Sequence, residues 1–410
     1  MGKIKIGMVL DSPFNSDLRV EKEASALTSA GYEVHLLCGR NEGQQKKEIV
    51  QDIHVHRAEI SMKTRNKGIR DILSSLDFIN RPFKRALVNF INEVNPQVLH
   101  THDLPLSKTV RLAAKKYRIP HVLDLHENYP EGLNTWFEWR TSKFIRMKNA
   151  AFFGYSKWIN YEKQECQAND YVIAVVDEMK ERLQKLHGVD GSKIEVVSNT
   201  ERVSFKNNFS GANENLLKSG FNITYVGGMG PHRGLDTAIE AMPQIVKSIP
   251  HAKLNLVGSG NRDVVQRLKN QAQHLNLQDH IVFHGQKPFE QVIDYMKHSQ
   301  VNIIPHHSNA HTDNTIPHKL FQILMSEAPL LVSSCEPLKR IVNEFNAGFV
   351  FEASNASSFA EAVIGINASP ERVAEQCLNG TKAVNEKYNW KLDAERLVNF
   401  YQLVLSNQSA

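Results

Sequence analysis

The chain has 410 residues, of which 41% are apolar, so it can bury two cores of ordinary domain size. Its 49 basic and 44 acidic residues leave a formal charge of +5, which is too small for the electrostatic footprint of a nucleic-acid-binding protein. The four cysteines are widely scattered and form no CxxC pair, which argues against a disulfide framework and a zinc ribbon.

The amino-terminal sequence MGKIKIGMVL runs directly into a predicted strand and has no separate apolar signal region. No uninterrupted apolar stretch is long enough to span a bilayer. These patterns predict a soluble protein in the reducing cytoplasm.

The first half of the chain alternates apolar runs with amphipathic segments. A buried strand, a helix that ends at Gly31 and a second strand are predicted from KIKIGMVL, RVEKEASALTSAG and YEVHLLC, which form a βαβ opening. Further strands are predicted from QVLHTHD, HVLDLHE, YVIAVV and KIEVVSN, and a helix from SKTVRLAAKKYR.

The pattern restarts at Phe221, after a polar stretch, SFKNNFSGANENLLKSG, that is predicted to bridge two domains. The second half again alternates strands (NITYVGG, KLNLVGSG, IVFHG, VNIIPH, LLVSS) with helices. The prediction is an α/β chain with two Rossmann-like doubly wound parallel-sheet domains facing across a cleft, at 1–205 and 206–390. A last helix, 391–410, packs at the domain junction or simply caps the second domain.

Several segments in order resemble the family 4 glycosyltransferases of the retaining, group 1 type. They are DLRVEKEASALTSAGYEVHLL, THDLPL, DLHE, VVSNTERVSF, YVGGMGPHRGLDTAIEAM, LVGSG, IVFHGQKPFEQVIDYM and IPHKLFQILMSEAPLLVSS. The resemblance implies the glycosyltransferase B (GT-B) fold, an acceptor-side first domain and a second domain that binds the nucleotide-sugar. It also implies retaining transfer from a nucleotide-diphosphate sugar without a bound metal.

A glycine-rich loop with Gly228 and Arg233 precedes a helix that starts near Gly234. Backbone amides at a helix start, together with a guanidinium, form a site for an anion. The resemblance implies that Arg233 neutralises the diphosphate. The family often has a second basic residue beside the first loop glycine, where this chain has Gly228. The alternative is a tight turn with a solvated arginine.

The family's pair of glutamates, eight positions apart, is matched here by Asn314 and Gln322. An amide keeps an oxygen that accepts from a hydroxyl but loses the stronger charge-assisted bond. By resemblance, Gln322 holds the ribose and Asn314 the donor sugar. Thr315, Ile316 and Lys319, between them, are further candidates for contacts with the donor.

His126 ends the strand HVLDLHE and matches the family's histidine at the reaction centre, where it contacts the donor sugar. An imidazole can bond a hydroxyl and stabilise an oxocarbenium-like state through its dipole. On the acceptor side we place His102 and Asp103, which end the preceding strand, and Asp17 and Arg19 in the first βα loop. The alternative for the last two is a helix cap and a solvated charge.

No metal cofactor is expected. No two aspartates stand two positions apart, so the DxD signature of the other major glycosyltransferase fold is missing. His306, His307 and His311 have no cysteine or carboxylate at ligand spacing beside them, which argues against zinc.

Two basic stretches of the first domain suggest an acceptor on a membrane or a glycan. Trp136, Trp139 and Trp158 lie among basic and aromatic residues, which suits a lipid-linked acceptor or a sugar platform. These neighbours are Arg140, Lys143, Phe144, Arg146, Lys148, Phe152, Phe153 and Lys157, and the second stretch has Lys63, Arg65, Lys67, Arg70, Arg81, Lys84 and Arg85. Weak contact with the inner face of the cytoplasmic membrane follows, unless the aromatic residues simply join a core.

The leading hypothesis is a hexosyltransferase-type enzyme that builds a cell-surface polysaccharide or glycoconjugate. A non-catalytic relative that binds nucleotide or glycan as a scaffold is an alternative, because Asn314 and Gln322 replace both glutamates. An epimerase on the same fold, with Glu127 and Asp103 as acid and base, is a third hypothesis. A nicotinamide dehydrogenase is disfavoured because DSPFNSD, not G-x-G-x-x-G, follows the first strand.

Overall fold

In a computed structural model, the described residues are 2–15, 17–61, 64–137, 139, 143–209, 216–217 and 219–407. They form two compact units. Unit 1 comprises Met1–Leu133, Lys143–Ser198 and Asp393–Ala410, and unit 2 comprises Asn134–Ser142 and Asn199–Leu392. Part of the predicted bridging stretch, residues 210–215 and 218, lies outside the described residues.

The strands up to Ser198 are β1 (Lys5–Pro13), β2 (Glu33–Arg40), β3 (Lys47–Val50), β4 (Ile53–Ser61), β5 (Val98–His102), β6 (His121–Leu125), β7 (Tyr171–Ala174) and β8 (Ile194–Val196). The helices are α1 (Leu18–Ser29), α2 (Thr64–Asp77), α3 (Arg81–Val94), α4 (Ser107–Tyr117), α5 (Tyr129–Phe137), α6 (Lys143–Phe152), α7 (Tyr155–Ala168) and α8 (Asp177–His187).

Unit 1 is built on an eight-stranded sheet in the order β3-β4-β2-β1-β5-β6-β7-β8. All neighbours pair in parallel except β3, which is antiparallel to β4. Both β5 and β6 are buried along their whole length, as expected for strands covered by helices on both faces. The strand order reverses between β1 and β5, and ligands bind beyond the strand ends at such a point.

The elements after Ser198 are the strands β9 (Phe221–Val226), β10 (Ala252–Val257), β11 (Ile281–Gly285), β12 (Val301–Ile304), β13 (Leu330–Ser333) and β14 (Phe349–Phe351). The helices are α9 (Leu235–Ser248), α10 (Arg262–His274), α11 (Phe289–Lys297), α12 (Lys319–Met325), α13 (Glu336–Phe345), α14 (Ala356–Ala368), α15 (Pro370–Glu386) and α16 (Trp390–Ser406).

Unit 2 is built on a six-stranded, all-parallel sheet in the order β11-β10-β9-β12-β13-β14. Its core includes Ile223 and Tyr225 of β9, Leu254 of β10 and Ile239 of α9. The order reverses between β9 and β12, so the loops after these two strands are the expected place for a ligand. The two parallel-sheet units confirm the predicted doubly wound α/β architecture.

Candidate functional site

A buried cluster of charged side chains lies at the carboxyl ends of β5 and β6 in unit 1. Its centre is Asp124, which is 0% exposed. Asp124 accepts from Arg19 at two atoms, Nε at 3.1 Å and Nη2 at 2.7 Å. The third guanidinium nitrogen, Nη1, donates to the carbonyl of Val197 at 3.0 Å. This fork-to-fork pairing fixes both side chains and offsets part of the cost of burying them.

Two carboxylates hold the imidazole of His126 in place. Its Nε2 lies 2.7 Å from Oδ2 of Asp124, and its Nδ1 lies 3.4 Å from Oδ2 of Asp103. Asp103 also accepts the backbone N–H of His126 at 3.0 Å. Burial lowers the pKa of His126, but the two carboxylates outweigh it and raise that pKa to about 10. At neutral pH His126 is therefore an imidazolium with both N–H groups directed at carboxylates.

His102 also belongs to this cluster. Its Nδ1 lies 3.2 Å from Nε2 of His126 and 3.3 Å from Oδ2 of Asp124. Burial, followed by the neighbouring His100, holds the pKa of His102 well below its usual range. A neutral His102 beside a charged His126 avoids placing two cations in contact.

The first βα loop supplies one structural residue and one residue of the cluster. Asp17 is the N-cap of α1, where its carboxylate accepts from the backbone N–H groups of Arg19 and Val20 at 3.2 Å each. The contacts of Asp17 are therefore those of a helix cap, as the alternative interpretation expected. The solvated-charge alternative for Arg19 is wrong, because that side chain is only 7% exposed and is paired with Asp124.

The described residues include one group with metal-ligand geometry, in which single donor atoms of Glu23, His100, His102 and Asp124 lie within 4.8 Å of one another. Arg19 Nη2 lies 3.0 Å from Glu23 and 2.7 Å from Asp124. The guanidinium thus already supplies positive charge to both carboxylates of this group, which disfavours adding a metal cation.

The stability of unit 1 should depend on pH through His126. Because its folded pKa is near 10 and its ordinary pKa is 6.5, its stabilising contribution is complete below pH 6.5 and is lost as pH rises towards 10. We expect the free energy of unfolding to fall in this window by at most about 1.4 kcal/mol per pH unit. Urea unfolding at pH 7, 8 and 9 should show this slope for the wild type and a flatter one for His126→Gln. If the free energy of unfolding falls equally with pH in both proteins, the raised pKa of His126 is contradicted.

In unit 2, the loop after β9 and the start of α9 bring together the predicted phosphate-binding residues. Gly227 has a φ of +133°, which favours glycine, and the carbonyl of Gly228 accepts from the Tyr225 hydroxyl at 2.6 Å. Arg233 ends a short 3-10 turn before α9, and its Nη1 donates to Nε2 of His306 at 3.0 Å. His306 follows β12, so both loops at the strand-order reversal contribute to this place.

Lys319, the first residue of α12, lies against the same loop. Its Nζ is 3.6 Å from the ring centroid of Tyr225, and a Cβ built on Gly227 would lie 3.0 Å from it. Burial, and then the charge of Arg233, hold the pKa of Lys319 well below its usual range. No carboxylate pairs with Lys319 or Arg233 within the part of the chain that the structure describes. Two basic side chains without an acidic partner therefore lie beside a glycine loop, which suits an anionic ligand.

The segment before α12 carries the other predicted donor contacts. Asn314 Nδ2 donates to the carbonyl of Ala310 at 2.8 Å, and Thr315 Oγ1 donates to the carbonyl of His311 at 3.0 Å. Ile316 is only 3% exposed. The donor groups of Asn314 and Thr315 thus hold their own loop in shape, and no described residue donates to the Oδ1 of Asn314.

Gln322 forms a hydrogen bond with Glu201, a residue that the sequence did not indicate as part of the site. Its Nε2 donates to Oε2 of Glu201 at 2.9 Å, and Nε2 of His318 lies 2.9 Å from the same oxygen. Glu201 is 7% exposed and follows β8 in the segment VVSNTERVSF. Nothing in the local sequence marks it, because 121 residues separate it from Gln322.

Two of the histidines considered for zinc, His306 and His307, have different side-chain partners. His306 bonds Arg233, whereas Nε2 of His307 lies 2.9 Å from Oδ1 of Asp236. Burial, followed by Arg233, holds the pKa of His306 well below its usual range, so it accepts from the guanidinium as a neutral ring.

The three tryptophans of the predicted aromatic and basic platform each contact different side chains. Trp158 is 4% exposed and packs against Phe78 and Tyr161 in unit 1, so the core alternative is correct for it. Trp136 contacts His311 and Trp139 contacts Arg267, both within unit 2. Lys63 and Arg140, and the side chains of Arg65 and Phe144, lie outside the described residues.

Part of the second basic stretch is buried or forms ion pairs within unit 1. Lys67 Nζ lies 3.3 Å from Asp11 and 3.2 Å from Asp71, and Arg70 is 7% exposed. Only Arg81, Lys84 and Arg85 of the described basic residues in this stretch are exposed. Among the described residues, no helix is both long and apolar enough to cross a lipid bilayer.

Two family models together match most of the chain. Residues 19–200 match the model described as Glycosyltransferase Family 4, and residues 211–382 match Glycosyl transferases group 1. The chain is similar to a phosphatidyl-myo-inositol mannosyltransferase of Mycolicibacterium smegmatis, with 24% identity over 179 residues. That match spans 42% of this chain and 42% of the relative.

A D-inositol 3-phosphate glycosyltransferase of Acidothermus cellulolyticus is 22% identical over 332 residues, which cover 76% of this chain and 68% of the relative. Among solved structures, sucrose-phosphate synthase from Thermosynechococcus elongatus has a TM-score of 0.80 at 17% identity, with 99% of this chain and 100% of that chain covered. The Anabaena HepE protein in complex with UDP-glucose has a TM-score of 0.72 at 15% identity, with 97% and 99% covered.

Proposed function

Because this chain belongs to the family 4, group 1 glycosyltransferases, we propose that unit 2 binds a nucleoside diphosphate sugar through Arg233 and Lys319. The observation that carries the proposal is the pair of basic side chains beside Gly227 and Gly228, neither of which has an acidic partner among the residues that the structure describes. A diphosphate would supply the missing negative charge. It would also restore the charged form of Lys319, whose pKa burial holds low.

The proposed reaction is metal-independent, retaining transfer of a hexose to a glycan or a lipid-linked acceptor. Negative charge grows on the diphosphate as the glycosidic bond breaks, and fixed cations stabilise it without reorganisation. Arg233 and Lys319 would do this in place of a divalent cation.

His126 is proposed to donate its Nδ1–H, whose contact with Asp103 is the longer of the two at 3.4 Å, to a hydroxyl of the reacting sugar. As an imidazolium it would not by itself stabilise an oxocarbenium ion, contrary to the dipole role expected from the sequence. Of its two carboxylate neighbours, Asp103 is the more exposed, with 29% of its side chain accessible, and would supply negative charge towards such a cation, whereas Asp124 is buried and paired with Arg19.

Turnover by the purified full chain tests the activity. The protein would be incubated with UDP-glucose or GDP-mannose in the presence of EDTA, and released nucleoside diphosphate would be quantified. We expect slow donor hydrolysis, and an α-configured product from an α-linked donor once an acceptor is found. Binding of donor without any turnover, with or without added Mg²⁺, would instead favour the non-catalytic alternative suggested by Asn314 and Gln322.

An exposed apolar face on α2 supports peripheral membrane contact, which we propose as the route to a lipid-linked acceptor. Ile69, Leu73 and Leu76 are 51%, 55% and 62% exposed and lie on one side of the helix. Together with Ile79 and Pro82 they line a groove of about 680 Å³. Exposed Lys84 and Arg85 on the next helix would add attraction to anionic lipid.

Vesicle sedimentation at low salt tests this contact. We expect the protein to sediment with phosphatidylglycerol vesicles, and Leu73→Ser/Leu76→Ser to weaken the association about tenfold, since two leucines no longer enter the lipid. The control, Leu186→Ser/Leu403→Ser, removes two exposed leucines elsewhere in unit 1. If both double variants weaken vesicle association equally, or if the wild type does not sediment, the α2 face is not the membrane contact.

A further inference from the structure

Gln322 has its amide orientation fixed by a buried carboxylate. The carboxylate of Glu201 can only accept, so the Gln322 group that faces it at 2.9 Å must be the Nε2 amino group. The same Glu201 oxygen is held by His318 at 2.9 Å, and the other oxygen accepts the backbone N–H of Arg202 at 2.7 Å. Glu201 is therefore a fixed acceptor, and Gln322 cannot flip without placing its own oxygen against a carboxylate.

The consequence is that Oε1 of Gln322 faces away from Glu201. No described residue donates to this oxygen, and it is not among the buried polar atoms that lack a partner, so it remains reachable from solvent. Gln322 lies three positions after Lys319 on α12, on the same side of the helix. Three residues rise about 4.5 Å along a helix, so the two side chains are close enough for one nucleotide to contact both, with its diphosphate at Lys319 and its ribose at Gln322.

We propose that Glu201 is a positioning residue for nucleotide recognition: it locks Gln322 so that Oε1 accepts hydrogen bonds from the ribose hydroxyls of a nucleoside diphosphate. This inference rests on the proposed donor site and adds a residue that contacts the nucleotide only through Gln322.

The arrangement makes a specific prediction about exchanging the two groups. Gln322→Glu alone would place two carboxylates about 2.9 Å apart, which is unfavourable while both are charged. Glu201→Gln alone would let the amide at 322 turn either way, so that it presents a donor or an acceptor to the ribose. The double variant Glu201→Gln/Gln322→Glu restores one carboxylate and one amide, with the acceptor again facing the ribose.

Calorimetric titration with UDP and 2′-deoxy-UDP, or with GDP and 2′-deoxy-GDP, tests this on the full chain. We expect each single variant to lower the ribose-to-deoxyribose affinity ratio about 3- to 10-fold, the effect of one hydrogen bond, and the double variant to restore it. Glu327→Gln, which removes an exposed acidic charge just after α12, is the matched control and should leave the ratio unchanged.

The ratio is measured on a single protein sample, so a partly unfolded variant does not distort it. If Glu201→Gln does not fold, the affinity ratios of Gln322→Glu and of the double variant are sufficient to test the role of Glu201. Nucleotide binding with an unchanged ratio in the single variants, or with no restoration in the double variant, overturns the role of Glu201 and leaves the donor site standing. A wild type that binds no nucleoside diphosphate overturns both.

Discussion

Replacing Arg233 with alanine is expected to weaken the binding of UDP or GDP about 10- to 100-fold, the effect of losing charged hydrogen bonds of about 1.5–3 kcal/mol. The guanidinium has His306 as its hydrogen-bond partner and no carboxylate within the described residues, so its charge is available to a phosphate. The same variant should lower donor turnover further, because negative charge on the diphosphate increases as the sugar leaves.

Two further variants distinguish this effect from a general loss of charge or structure. Arg233→Lys keeps the charge but not the planar fork, so we expect an intermediate affinity. Lys247→Ala removes an exposed cation from the last turn of α9, the helix that Arg233 precedes, and should bind like the wild type. Calorimetric titration of all three at matched ionic strength gives the comparison. If Lys247→Ala weakens binding as much as Arg233→Ala, the site assignment is wrong.

The largest effect on stability is expected at Asp124. Asp124→Asn should lower the free energy of unfolding by about 3–5 kcal/mol. The substitution removes one of the two carboxylates that pair with the buried guanidinium of Arg19 and leaves only Glu23. The change is nearly isosteric, so the loss comes from charge and not from a cavity. Urea unfolding at pH 7 measures it.

The same substitution should move the pKa of His126. Burial lowers that pKa, and Asp103 and Asp124 together raise it to about 10. Removal of the Asp124 charge should therefore shift the titration of His126 towards neutral pH, which NMR of its ring protons would follow.

Two controls separate the charge effect from the substitution itself. Asp190→Asn, at an exposed turn where the side chain accepts from Ser192, keeps a capping group and should change stability by less than about 0.5 kcal/mol. Arg19→Met/Asp124→Asn removes the unpaired charge and should regain part of the lost stability. A double variant less stable than Asp124→Asn alone would show that Arg19 is not destabilised by the loss of its partner.

The sequence was informative where chemistry is local. Apolar runs of four to six residues predicted the parallel strands, because a strand buried on both faces needs apolar side chains at nearly every position. The strand end predicted His126 as a ligand contact, since ligands meet parallel sheets at those ends, and the glycine-rich loop before a helix predicted Arg233; both remain predictions. The hairpin of β3 and β4 gave no such run, because His54, His56 and Arg57 interrupt it.

The partners of these residues were decided only by tertiary structure. Asp124 stands within the strand HVLDL, and its partner Arg19 is 105 residues away. Glu201 is 121 residues from Gln322 in the sequence. The two side chains therefore form a pair only in the folded chain, and neither position indicates the other. Local patterns determine which segments become strands and helices, whereas the compensation of buried charge depends on groups that the fold brings together from distant positions.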